Sequence, residues 1–239
     1  MSEKLFKTYL CAKANLVDRA DKPRMEKAAK AAESLGFLKD VTQPDLLYVD
    51  DVLVSTGTNL NDDEFLPEEL IKAVVVRNTV PYKPVNWEHQ EDYIVGTMYD
   101  YHIQTKDGKI VEDADELMTL KEFDVVDKSV VWKYIYRDEA AQIEEGAKND
   151  NIFVSMECYF KDYDYRLGAK IVKRNADTAF LESALRANGG EGTYQGTKIN
   201  RILRDIVFGG KGFVKKPANP DSVIKSVAEK NEDKLMEKI

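Results

Sequence analysis

Alternation of apolar and polar residues is sharpest in NIFVSMECYF, from Asn151 to Phe160. In an extended chain Val154, Met156, Cys158 and Phe160 fall on one face and Phe153, Ser155, Glu157 and Tyr159 on the other. The first set makes a core face, and the second turns a hydroxyl and a carboxylate away from it. Strands are also predicted for Leu5 to Ala12, for LLYVDDVLVS from Leu46, for Tyr93 to Thr105 and for SVVWKYIYR from Ser129. Helical spacing brings Met25, Ala28, Ala29, Ala32 and Leu35 together, with Asp21 as cap, Pro23 in the first turn and Gly36 at the end. Further helices are predicted for PEELIKAVVV from Pro67, for DEAAQIEEGAKND from Asp138, for Asp177 to Ala187, and for the start of INRILRDIVF, which then passes into a strand.

Breaks in the pattern mark the connections. TGTNLNDDEF, KDGK and NGGEGTYQGT read as turns or loops, and FGGKGFVKKPANP as a Gly-rich turn with a Pro-stiffened exit. VPYKP is expected to be extended, because a residue before proline is pushed out of the α region. The fold class is α+β without internal repeats. Residues 1–220 are expected to form one domain, with the strand and helix of 1–40 packed on it, and residues 221–239 a charged, mobile tail.

Composition narrows the function. The 239 residues are 43% hydrophobic and 33% charged, enough for one real core. A net charge of -8 gives no electrostatic footprint for nucleic acid. No apolar run approaches the roughly 20 residues that span a bilayer, and MSEKLFKTYLCAKA lacks the pattern of a signal peptide. Cys11 and Cys158 form no CxxC, which suits a reducing cytosol, and HExxH is absent. No metal and no cofactor is expected.

The chain has two histidines, and one of them, His89, lies in PVNWEHQEDYIVGTM between Glu88 and Glu91. A serine becomes a nucleophile near neutral pH when a base such as histidine takes its proton. Ser155, on the outward face of its strand, is the candidate partner. Spacing alone leaves open a solvated histidine and a plain surface serine. His102 shares strand parity with Ile94 and Met98 and is read as a core or strand-edge residue. The Gly209-Gly210-Lys211-Gly212 stretch could bring backbone N–H groups to a developing oxyanion; a plain bulge or turn is the alternative. GxxxxGK[ST] is missing, which argues against a phosphate loop.

STGTNLNDDEFLPEELIKAVV followed by KPVNWEHQEDYIVGTM, then FVSMECYF, then IVFGGKGFVKKPANPDS run in an order that resembles the bacteriophage prohead proteases, relatives of the herpesvirus assemblins. The likeness covers roughly residues 50 to 222 and leaves out the N-terminal helix and residues 165 to 195. It implies an assemblin-like β-barrel core surrounded by helices. It implies a serine endopeptidase with Ser155 as nucleophile and His89 as base, with Glu157 as candidate third member and Gly209 and Gly210 as oxyanion-hole candidates. Assemblins use a second histidine after the serine, and none follows Ser155 here. The implied substrates are scaffold and capsid proteins, cut after glutamate inside the prohead in the host cytoplasm. Self-processing after Glu237 or Glu229 is implied too, and a homodimer stays open. Two rival readings remain: a non-catalytic scaffold or core protein of the same fold, and an unrelated cytosolic serine hydrolase.

Overall fold

The structure is a computed structural model that describes residue 43 and residues 45–149, 151–215 and 224–228. The strand and helix expected before residue 40, and Glu229 and Glu237, lie outside the described residues.

The larger sheet contains β1 (Leu46–Ser55), β4 (Pro84–Trp87), β5 (Gln90–Gln104), β6 (Asp124–Trp132), β7 (Phe153–Tyr159), β12 (Val207–Val214) and β13 (Ile224–Ala228), in the order β13-β1-β6-β5-β4-β12-β7. All neighbours are antiparallel except β12 and β4. The sheet curls into a half-barrel, so that β1 and β7 approach each other across it. A smaller sheet runs β2 (Gly57–Thr58), β3 (Asp63–Phe65), β11 (Thr197–Arg204), β8 (Asp162–Leu167), β9 (Lys170–Val172), with β10 (Thr193–Tyr194) pairing β11. The helices are α1 (Pro67–Ile71), which runs on as a π-helical turn (Lys72–Val76), α2 (Ala114–Thr119) and α3 (Arg137–Asn149), with 3₁₀ turns at Ala176–Ala184 and Arg186–Asn188. Among the described residues no helix is long and apolar enough to cross a membrane.

One main apolar cluster fills the half-barrel. Val49, Leu53, Val95, Met98, Val125, Val131, Val154, Phe208 and Phe213 belong to it, together with Ile143 of α3. Met156, Cys158 and Phe160 pack against it, which bears out the core face read from alternation. The mixed α+β class and the helix from Asp138 also hold.

Several local expectations do not. INRILR is strand β11, not helix, because it is paired to both β8 and β3 and its Ile199, Ile202 and Leu203 are buried there. The Gly-rich segment from Val207 is a central strand rather than a turn, held by β4 on one side and β7 on the other. VPYKP bends at Tyr82, which has a φ of 63°. The strand predicted from Ser129 starts earlier and ends at Trp132. Residues 224–228, expected in the mobile tail, form β13 against β1. For β11, β12 and β13 a distant strand satisfies the backbone, which local preference cannot anticipate, whereas past Trp132 the chain turns locally, with the Ile135 and Tyr136 N–H groups donating to the Trp132 carbonyl.

Candidate active site

His89 is held by a tight hairpin. Trp87 pairs with Gln90 across Glu88 and His89, whose φ values are 51° and 58°. Positive φ at both central residues marks a type I′ turn, which favours Asn-Gly. Residues with a Cβ held in such regions cost on the order of 1–3 kcal/mol each and persist where the surroundings fix them. The Glu88 N–H donates to Phe213 O at 3.0 Å, pinning the turn to β12. The His89 ring is thereby held beside β12, its Nδ1 3.2 Å from where a Cβ at Gly212 would stand, while staying partly exposed.

Ser155 and Glu157 lie on β7, on the far side of β12 from that turn. Ser155 pairs with Gly212, and Gly212 pairs with Asn86 of β4. Glu157 pairs with Gly210. Both strand positions between β7 and β4 thus lack side chains. A Cβ at 212 would stand 2.6 Å from Asn86 Oδ1 and 3.2 Å from His89 Nδ1, and one at 210 would stand 2.7 Å from the Pro84 carbonyl oxygen. The gap lets Glu157 reach across the strand. Its Oε1 lies 2.7 Å from His89 Nδ1 and accepts from Asn86 Nδ2 at 2.6 Å. Because that oxygen accepts, Nδ1 carries the proton and Nε2 is the free basic nitrogen of the ring.

The structure therefore joins His89 to Glu157 directly and brings both to the face of Ser155. Side chains opposite each other in an antiparallel pair stand ~5 Å apart, so Ser155 and the His89 ring border the same vacant position above Gly212. Among the described residues no hydrogen bond links Ser155 to His89. The His89 and Glu157 side chains are 42% and 32% exposed, so the pair opens to solvent. Glu88 and Glu91 are exposed and stand apart from this contact.

Gly209 and Gly210, the oxyanion-hole candidates, lie on β12 at some remove from the partner of Ser155. The register sets them beside Glu157 and Tyr159, at the bulge between Phe208 and Gly210, while Gly212 is the partner of Ser155. His102 lies on β5 opposite Val126 and does not join the group. Cys158 points into the core, where burial pushes its thiol up to about 12, so it offers no competing thiolate.

Asn86 was missed by sequence reasoning. It is 1% exposed, and its Oδ1 is buried without a hydrogen-bond partner, above Gly212. Its four-residue strand, opened by proline, is too short for alternation to reveal. Compared with known proteins, the chain matches no family model, no curated protein and no solved structure.

Proposed function

We propose that this protein is a serine endopeptidase of the prohead-maturation type, with an assemblin-like fold. Ser155 Oγ attacks the peptide carbonyl, and His89 Nε2 takes its proton and later delivers it to the leaving amine. Glu157 fixes the imidazole tautomer and balances the imidazolium, with Asn86 holding the carboxylate in place. The resemblance in sequence supplies the substrate class: scaffold and capsid proteins cut after glutamate, and the chain's own tail.

The observation that carries this reading is the contact of Glu157 with His89 across a strand stripped of side chains at Gly210 and Gly212. A strained turn, two glycines and an outward Glu on a third strand all converge on one imidazole beside Ser155. The absence of a bond between Ser155 and His89 favours the rival reading of a non-catalytic scaffold protein, although catalytic hydrogen bonds often tighten only with substrate. A fluorophosphonate probe decides between them: it should label wild type and not Ser155→Ala. Incubation with the scaffold protein of its own particle should then yield fragments ending in glutamate, and intact scaffold would remove the substrate assignment.

A further inference from the structure

The opposite face of β12 carries a second group of reactive side chains. Lys211 stands between Gly210 and Gly212 and points into the half-barrel, where it is 0% exposed. Its Nζ contacts Asp51 Oδ2 of β1 and lies 2.8 Å from Asp127 Oδ2 and 2.8 Å from Ser129 Oγ, both of β6. Asp51 and Asp127 are directly opposite in register and both 0% exposed. The remaining oxygen of each, Oδ1, is buried without a partner. The Phe213 ring, itself buried, lies 5.4 Å from the Lys211 ammonium.

Two carboxylates and one ammonium cannot all stay ionised in a dry interior without a net charge. Burial, reinforced by the Asp127 charge, holds the Asp51 carboxyl well above its usual range. Charge balance in this sealed group therefore calls for one amine with one carboxylic acid and one carboxylate, both carboxyl groups in contact with the same Nζ. These are the parts needed to condense an amine with an acid.

We propose that Lys211 and Asp51 form an intramolecular amide bond, with Asp127 as the proton-transfer group. Asp127 takes a proton from the Lys211 ammonium. The freed Nζ attacks Asp51 Cγ, forming a C–N bond and a tetrahedral centre. Asp127 passes its proton to the departing hydroxyl, the C–O bond breaks and water leaves. The amide nitrogen gives its excess proton to Asp127, which ends as the acid. Nothing is oxidised or reduced, and no outside reagent is consumed. Because the ammonium is held by its ion pairs, the reaction runs through a minor neutral form, slowly and once per molecule. The product would tie β12 to β1 across 160 residues of chain and lock the strand behind Ser155 and His89. It does not depend on those residues being catalytic.

Peptide mapping of the purified full-length protein, after prolonged incubation at physiological temperature, tests this. Expected is a branched tryptic peptide joining the Asp51 segment to the Lys211 segment, lighter than their sum by one water, with no cut after Lys211. Asp127→Asn should give linear peptides while keeping the wild-type circular dichroism spectrum. Wild type that yields only linear peptides and is cut after Lys211 overturns the proposal. So does loss of water mapped elsewhere, such as an imide at Asp107-Gly108. Because the primary readout is wild type, a variant that fails to fold does not obscure the result.

Discussion

The two faces of β12 solve opposite problems with adjacent residues. On the outer face Gly210 and Gly212 remove side chains, so that groups from β4, β7 and the Glu88–His89 turn can meet over bare backbone. On the inner face Lys211 fills the space with charge and ties β12 to β1 and β6. The outer group is half open to solvent and holds its charges in water's reach. The inner one is sealed, so that every charge needs a partner and burial raises the Asp51 carboxyl well above its usual range. The outer face is thus suited to turnover on a ligand that comes and goes. The inner face is suited to holding the strand still.

The largest effect should come from emptying the outer face. Ser155→Ala and His89→Ala should each lower proteolysis by several orders of magnitude while leaving the circular dichroism spectrum unchanged. Near-normal cleavage by either folded variant would refute the assigned roles.

Next in size is the loss of the inner tie. Lys211→Met leaves Asp51 and Asp127 facing each other without a cation, and breaking a buried pair in this way costs about 3–5 kcal/mol. Chemical denaturation should show that loss, and a variant as stable as wild type would mean that the buried charges relax freely.

Smaller changes on the outer face should alter rate more than stability. Glu157→Gln should lower kcat by about 10²-fold or more with KM little changed, since orientation of His89 is felt in the transition state. Gly212→Ala should act in the same direction, because its Cβ would stand 2.6 Å from Asn86 Oδ1 and 3.2 Å from His89 Nδ1. Unchanged steady-state kinetics in both would show that Glu157 is plain surface charge.

The smallest effect belongs to an exposed ion pair, which marks the contrast with the buried one. Hydrogen bonds from Lys72 and Arg77 hold the Asp205 carboxyl below its ordinary value of 3.8. The folded state therefore releases that proton more readily than the unfolded chain. The stabilisation is present above pH 3.8 and is lost as pH falls through the folded value. Asp205→Asn keeps a residue tolerant of the φ of 55°. It should flatten the acid limb of wild-type stability slightly, measured as the difference between the two denaturation curves across that pH range.

What the sequence determined by itself is the direction of side chains within single elements. The period of two in FVSMECY placed Ser155 and Glu157 together and away from Val154 and Met156, because a strand alternates its faces whatever it pairs with. The same holds for α3, whose Ala140 and Ile143 repeat at helical spacing and are buried. Glu157 could be proposed as a third member from parity with Ser155, but not its reach to His89. The tertiary structure decided everything that depends on one strand lying beside another. Gly210 and Gly212 carry no pattern of their own, and their use appears only when β7 and β4 flank them. Asn86 and the Lys211 group were illegible for the same reason. Lys211 looked like a charge in a turn, and only burial against Asp51 and Asp127, far away along the chain, turned it into a tie. Local alternation records which way a side chain points; which residue waits there is set by long-range pairing, where distant backbone and charge find their partners.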